Sequence, residues 1–193
     1  SRARISWVHF PDVAPWPSYT DKLDYECEVA AVVGRRGRDV AAADTGPDLC
    51  GYTGMNDGSA RDVQKDEMSC WLGPAKAKDF ATTLGPWLVT PDEWSPEDEH
   101  AMTVTVDGEV WSSGTTTGRR WTFGEMLAWT SLDEDLWPTD VLGSGTFGGG
   151  CGLDLDRWLT PGATVTLAVE GLGSLTNRVG GKATGVHRSV ADR

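Results

Sequence analysis

Acidic residues at alternate positions are the part of this sequence best suited to chemistry. Asp24, Glu26 and Glu28 recur at every second residue. Because alternate side chains of a β-strand point to the same face, Glu26 and Glu28 would lie roughly 6.6 to 7 Å apart along a strand. Two carboxylates held that close repel each other unless one is protonated or a cation lies between them.

The residues that follow favour the cation. The run at 29–33 is apolar at every position, which predicts a strand inside a sheet, where an unpaired charge is costly. A hard cation with oxygen ligands, Mg²⁺ or alternatively Mn²⁺ or Ca²⁺, would relieve that cost. A half-exposed strand with an acidic outer face is the other interpretation, and this segment alone leaves both open.

A second segment that carries an acidic candidate is MNDGSARD at 55–62, which contains Asp57. Its residues are typical of a turn and a helix start, and they predict a short helix at 59–68. Asp57, Arg61 and Gln64 are spaced by four and three residues, which predicts that all three point from one side of that helix. A plain surface ion pair between the Asp and the Arg is the alternative.

Several segments in a fixed order connect these motifs to the rest of the chain. They are LDYECEVAAVVGRRGRDV at 23–40, GYTGMNDGSARDVQ at 51–64, LGPAKAKDFATTLGPWLVT at 72–90 and VLGSGTFGGGC at 141–151, with others at 102–111, 123–131 and 159–179. Together they resemble the fumarylacetoacetate hydrolase family, in particular its catalytic C-terminal domain. The resemblance covers nearly the whole chain.

The resemblance implies a set of site residues. Glu26, Glu28 and Asp57 would be the ligands of a divalent cation, with Mg²⁺ first and Mn²⁺ or Ca²⁺ as alternatives. Arg61 and Gln64 would line the substrate pocket and take part in catalysis.

Three further segments contribute to the same implied site. Lys78 matches a catalytic lysine that stabilises negative charge beside the metal, whereas Lys76 is expected to be an ordinary surface lysine. Thr82 and Thr146 match positions that contact the substrate carboxylate or close the site. His9 is the only histidine upstream of the paired glutamates, and it is a further candidate for the substrate pocket.

The function that the resemblance implies is metal-dependent hydrolysis of a carbon–carbon bond in a β-diketone or an acylpyruvate-type 2-oxo acid. Hydrolases of the family carry a histidine upstream as general base, on a lid segment. The paired glutamates follow soon after residue 1, so most of that lid segment is not expected within these residues. A 2-oxo acid decarboxylase or a keto–enol isomerase, which needs no added water, is therefore an alternative. A non-catalytic scaffold or partner subunit without a lid is another.

The charge composition limits the classes of molecule that this protein is expected to bind. There are 29 acidic and 17 basic residues, for a formal charge of −12, and this balance argues against nucleic acid or an anionic membrane. A small anionic oxo acid or diketone is still compatible, because a bound cation with Arg61 and Lys78 would reverse the local sign. The four cysteines show no paired spacing, so the cytoplasm is the expected compartment. The resemblance implies a homodimer.

The predicted fold is mainly β with a few helices, of the α+β class. Predicted strands cover 5–10, 25–34, 51–55, 85–90, 102–106, 109–112, 140–144 and 164–169, and predicted helices cover 59–68 and 122–131. With the resemblance, this pattern predicts a rolled, mixed β-sandwich formed by one domain over 1–193, with a loose tail at 186–193. Five of the ten tryptophans, Trp71, Trp87, Trp121, Trp129 and Trp158, are expected in the core or at a subunit contact, the core being favoured.

Overall fold

The structure, a computed structural model, describes residues 8–9, 13–44 and 48–184. Their strands are β1 (Val8–His9), β2 (Val13–Trp16), β3 (Leu23–Asp24), β4 (Cys27–Val33), β5 (Leu49–Asp57), β6 (Ser59–Ala60), β7 (Thr82–Val89), β8 (Ala101–Val106), β9 (Glu109–Thr115), β10 (Val141–Gly143), β11 (Thr164–Val169) and β12 (Gly173–Lys182). The α-helices are α1 (Arg61–Ser69), α2 (Phe123–Thr130) and α3 (Gly152–Leu155), and a 3₁₀ turn covers Ala42–Asp44.

Two five-stranded sheets form the body of the described chain. The first has the order β1-β7-β5-β4-β10, the second has the order β2-β12-β11-β8-β9, and β3 pairs separately with β6. The pairs β1–β7 and β2–β12 are parallel, and the other neighbours are antiparallel. The prediction of a mainly β, mixed sandwich with few helices is confirmed.

Alternation along β4 decides which side chains face the core. Its odd-numbered residues belong to the main apolar cluster together with residues of β8 and β11, whereas Ala30 belongs to a smaller cluster with Met55 and Leu84. Since Glu28 has the same parity as Ala30, it points away from the main core. The strand alternation expected from the sequence is thus confirmed, and it places the glutamates on the face opposite the sandwich interior.

The segment around Asp57 differs from the prediction. Strand β5 continues through Asn56 and Asp57. Asn56 pairs with β4 and β7, Asp57 pairs with β7, and α1 begins only at Arg61. The prediction that Asp57 shares a helix face with Arg61 and Gln64 was therefore wrong, because sheet hydrogen bonds hold Asp57. Helix α2 lies close to its predicted range, and Thr122 caps it in a reciprocal arrangement with Glu125.

Several elements were not anticipated. Helix α3 and strand β2 have only four residues each and β3 has two, too few for a periodic pattern. Of the predicted strand at 5–10, Val8 and His9 form β1, and residues 5–7 and 10 lie outside the described part. The predicted tail at 186–193 also lies outside the described residues, and one domain over 1–193 stays a prediction.

The expectation that five tryptophans lie in the core was wrong for most of them. Trp71, Trp87, Trp121 and Trp129 are exposed, Trp71 by 95%, and Trp158 is half-buried. The four exposed residues lie beside the ends of α1 and α2, in α2 and in β7. The alternative of a subunit contact stays a prediction. No helix in the described ranges has the length and apolar character needed to cross a membrane.

Candidate metal centre and active site

Three carboxylates converge where β4 and β5 meet. Glu26 lies just before β4, and its carbonyl accepts a hydrogen bond from the Asp57 amide at 3.2 Å. Glu28 follows two residues later on the same face. Each of the three side chains offers an oxygen atom, and these atoms lie within 4.8 Å of one another. Glu26, Glu28 and Asp57 are called the carboxylate trio below.

Glu28 is the most enclosed member of the trio, at 4% exposure. Its Oε2 accepts a hydrogen bond of 2.8 Å from the Gly145 amide, in the loop after β10. The chain at Gly143 passes so close that a Cβ there would lie 2.6 Å from the same oxygen. A glycine at 143 is therefore required for the Glu28 carboxylate to occupy this position.

Lys78 reaches the trio from the loop between α1 and β7. Its Nζ lies 2.6 Å from Glu26 Oε2 and 2.8 Å from Asp57 Oδ2. The loop is held to α1 because the Glu67 carboxylate accepts three backbone N–H groups, those of residues 75–77. Lys76 is exposed, so the structure distinguishes the two lysines in the way expected.

Arg61, the first residue of α1, joins the trio from the other side. Its Nη1 lies 2.8 Å from Glu26 Oε1 and 2.8 Å from Gln64 Oε1. Its Nε donates to Asp24 Oδ2 at 2.7 Å. Its Nη2 is buried and has no hydrogen-bond partner among the described residues. Gln64 is thus connected to the trio by its hydrogen bond to Arg61. The unpartnered Nη2 of Arg61 is available to donate a hydrogen bond to a ligand.

Asp24 is a site residue to which the sequence analysis gave no role. It is fully buried and binds Arg61 directly. Its position on the alternating acidic run, with the parity of Glu26 and Glu28, was the available signal. The partner that gives it a function is distant in sequence, so the signal could not be interpreted from the segment alone.

The remaining candidates are placed as follows. Thr82 pairs with Asp57 across β7 and β5, so it borders the trio. The Thr146 hydroxyl donates to the Cys27 carbonyl at 3.1 Å, which ties the loop after β10 to β4. The backbone of His9 pairs with Thr83 of β7, but the His9 side chain lies outside the described part of the structure.

Burial sets the electrostatics of the trio. It raises the pKa of Glu28 well above its ordinary value, and the charges of Asp57 and Glu26 raise it further. Burial also raises the pKa of Asp57, an effect that Lys78 opposes and Glu26 reinforces. For Glu26 burial acts in the same direction, but Lys78 and Arg61 outweigh it and the pKa lies below its ordinary value.

The donor set fits a divalent cation. Three carboxylates supply hard oxygen atoms on one small volume, as Mg²⁺, Mn²⁺ and Ca²⁺ require, and no thiol or imidazole of the described residues is grouped with them. Burial first, and then the neighbouring carboxylates, raise the pKa values of Glu28 and Asp57, and such a cation would oppose both effects. The trio could therefore hold one metal ion.

Comparison with known proteins identifies the family. Residues 6–180 match the family model described as fumarylacetoacetate (FAA) hydrolase C-terminal. The chain belongs to the fumarylacetoacetate hydrolase family. Among curated relatives, the oxaloacetate tautomerase YisK of Bacillus subtilis is 30% identical over 162 residues, which are 83% of this chain and 53% of that protein. The chain thus spans about half the length of the curated relatives that it matches.

Solved structures of the family share the fold. The 5-carboxymethyl-2-hydroxymuconate delta-isomerase of Mycobacterium smegmatis has a TM-score of 0.76 and 35% identity, with coverage of 88% of this chain and 63% of that one. The fumarylpyruvate hydrolase of Pseudomonas aeruginosa, in complex with Mn²⁺ and pyruvate, has a TM-score of 0.73 and 25% identity, with coverage of 88% and 75%.

Proposed function

We propose that this chain is the catalytic part of a divalent-metal-dependent enzyme that interconverts the keto and enol forms of a small 2-oxo acid. The observation that carries the proposal is the contact of Lys78 with two members of a carboxylate trio suited to a cation. The similarity to an oxaloacetate tautomerase supports the reaction class and makes oxaloacetate the first substrate to test.

The trio would hold the cation through Glu26, Glu28 and Asp57. When bound there, a divalent cation would supply Lewis-acid polarisation of the carbonyl of a 2-oxo acid. The Mn²⁺ and pyruvate bound by the related fumarylpyruvate hydrolase support a metal and a 2-oxo acid together. Mg²⁺, Mn²⁺ and Ca²⁺ all suit these ligands, and Mg²⁺ remains the first choice.

The protein's own cations would stabilise the enolate. Lys78 Nζ carries its positive charge on the side of Glu26 and Asp57, where negative charge develops on the oxygen of a bound oxo acid. A fixed ammonium in a site shielded from water stabilises the enolate more than the neutral substrate. The unpartnered Nη2 of Arg61 would donate to the substrate carboxylate, and Gln64 and the hydroxyls of Thr82 and Thr146 would border the substrate.

Hydrolysis of a carbon–carbon bond is the second candidate. It is supported by the similarity to the fumarylpyruvate hydrolase, and it requires a base that activates water. Among the described side chains no histidine serves this purpose, since the His100 ring stacks on Trp94 and contacts the Ser95 carbonyl. Isomerisation adds no water to the substrate, because the proton lost from the carbon beside the carbonyl would pass to solvent and the enolate oxygen would take one back from solvent. It therefore requires no water-activating histidine, which is why it comes first.

The experiment uses EDTA-treated protein with Mg²⁺ or Mn²⁺ restored. Loss of the enol absorbance of oxaloacetate, faster than in metal alone, is expected, and pyruvate formation would reveal decarboxylation instead. An acylpyruvate assayed in parallel tests hydrolysis. Glu26→Ala is the inactive control. A wild-type protein that binds metal and turns over neither compound would contradict the enzymatic proposal and favour the scaffold alternative.

A homodimer is proposed as the working assembly. The exposed aromatic side chains Trp71, Trp121 and Trp129 support it, because large apolar groups are enriched at subunit interfaces. Light scattering after gel filtration should give twice the monomer mass of 20.8 kDa.

The cytoplasm stays the proposed compartment, supported by free thiols at all four cysteines.

A further inference from the structure

We propose that Asp24 is a positioning residue that holds the Arg61 guanidinium and balances its charge, and so leaves Glu26 available as a metal ligand. The inference rests on the proposed metal-dependent function. It adds a residue outside the carboxylate trio whose effect on the cation passes through Arg61.

Asp24 occupies a built, closed site. Its side chain has no exposed surface. Oδ1 accepts the amides of Tyr25 and Gly152, each at 2.8 Å, and Oδ2 accepts the Leu153 amide at 3.0 Å and Arg61 Nε at 2.7 Å. Four N–H donors point at two oxygens, an arrangement that an ionised carboxylate accepts in full because it presents no hydrogen of its own.

The chain around Asp24 fixes its position. At Gly152 a Cβ would lie 2.5 Å from Asp24 Oδ1 and 2.3 Å from the Arg157 carbonyl oxygen, so this close approach requires glycine. Asp24 itself pairs with Ser59 through β3 and β6. The carboxylate therefore cannot follow Arg61 if the guanidinium moves, and it acts as a fixed anchor.

The guanidinium is shared between two carboxylates. Its Nε edge faces Asp24, and its Nη1 faces Glu26 Oε1 at 2.8 Å. Without the charge of Asp24, Arg61 would pair with Glu26 alone and compete with a cation for its oxygens. In a site this buried the competition is strong, because charges are poorly screened there.

The charges of the cluster agree with this role. It contains four carboxylates and two side-chain cations, joined by direct contacts or by mutual proximity: Asp24, Glu26, Glu28, Asp57, Arg61 and Lys78. When all four carboxylates are ionised, the state that a bound cation favours, the set carries two net negative charges, which one divalent cation neutralises. Without Asp24, one negative charge would remain.

The test measures Mn²⁺ affinity of the purified chain by electron paramagnetic resonance, with Asp24→Asn against the wild type. Loss of affinity of about 10- to 100-fold is expected, the usual effect of removing a partner behind a metal ligand. Asp62→Asn is the matched control. Asp62 follows Arg61 in sequence and accepts the Thr20 hydroxyl and the Asp21 amide, but it makes no contact with the trio, so Mn²⁺ affinity should be unchanged.

A double-mutant cycle with Arg61→Lys separates positioning from a merely structural effect. If Asp24 acts through Arg61, Asp24→Asn should change Mn²⁺ affinity much less in an Arg61→Lys background than in the wild type. Losses that multiply would show that Asp24 acts independently of Arg61 and would overturn the inference.

Stability is monitored in parallel by thermal unfolding without metal. An Asp24→Asn variant that folds and binds Mn²⁺ as tightly as the wild type would overturn the inference. If that variant does not fold, Asp24→Glu replaces it, because this substitution keeps the charge but displaces Arg61. Unchanged Mn²⁺ affinity of Asp24→Glu would also overturn the inference. A wild type that binds Mn²⁺ without turning over oxo acids would end the proposed function, while the affinity comparison would still decide the role of Asp24.

Discussion

The Lys78 ammonium contacts the Glu26 carboxylate at 2.6 Å, although 52 residues separate them in sequence. Glu26 also accepts Arg61 on its other oxygen, so both of its oxygens face cations. This double pairing explains why the pKa of Glu26 is lowered while burial raises that of Glu28. The trio is therefore asymmetric, with one charged member and one that resists ionisation.

Lys78→Gln should lower kcat for oxo acid turnover by about 10²- to 10³-fold, the usual effect of removing one group that stabilises a developing oxyanion. Lys76→Gln is the matched control, because Lys76 lies two residues away on the same loop and is exposed. Steady-state kinetics with saturating Mg²⁺ provide the measurement. Equal losses in the two variants would show that Lys78 has no special role.

Glu28→Gln should have opposite effects on metal binding and on stability. The amide keeps an oxygen that can accept the Gly145 amide but loses the charge, so Mn²⁺ affinity should fall by about 100-fold. Without metal the variant should be as stable as the wild type or more stable, by about 1 kcal/mol, because a buried carboxylate whose ionisation is costly is replaced by a neutral amide. Urea unfolding in EDTA checks this, and a marked loss of stability would contradict the assigned electrostatics.

The metal-free protein should lose stability as the pH rises. Burial and the neighbouring carboxylates raise the pKa of Glu28 in the folded protein, so its contribution is fully present below the ordinary pKa of a glutamate and is lost as pH passes through the raised value. A bound cation favours the ionised form and should remove this dependence. Thermal unfolding between about pH 5 and pH 8, with and without Mn²⁺, tests both statements; parallel curves would contradict them.

Asn177→Ala should destabilise the fold by about 1–3 kcal/mol, because it leaves buried polar partners unpaired. Asn177 Oδ1 accepts both Asn56 Nδ2 at 3.1 Å and the Thr83 hydroxyl at 2.8 Å, so it joins β12 to β5 and β7. Ser174→Ala, at an exposed position of the same strand, is the control. Chemical denaturation gives the comparison, and equal stability of the two variants would show that the network contributes nothing.

The sequence predicted the part of the site that depends on local periodicity and on resemblance. Alternation along a strand is a local property, so Glu26 and Glu28 could be assigned to one face. Asp57 was included for a wrong structural reason, helical spacing, whereas the structure holds it by pairing with β7 and by the hydrogen bond of its amide to the Glu26 carbonyl. The selection of Lys78 over Lys76 came from the resemblance, because neither periodicity nor charge separates the two.

What could not be predicted depends on contacts between distant segments. Asp24 accepts the amides of Gly152 and Leu153, which lie more than 120 residues further along, and no pattern at 23–28 indicates that partner. The sequence also could not predict that Trp71 and Trp129 are exposed, since a large apolar side chain suits a core and an interface alike.

Asn56 also accepts the Glu26 amide at 3.3 Å, which makes the pair of buried asparagines a mechanical link from the second sheet to the edge of the carboxylate trio. A mutational scan scored by turnover alone would consequently group Asn177 with the ligands. Only a scan that also records the amount of folded protein would separate residues that support the site from those that perform its chemistry.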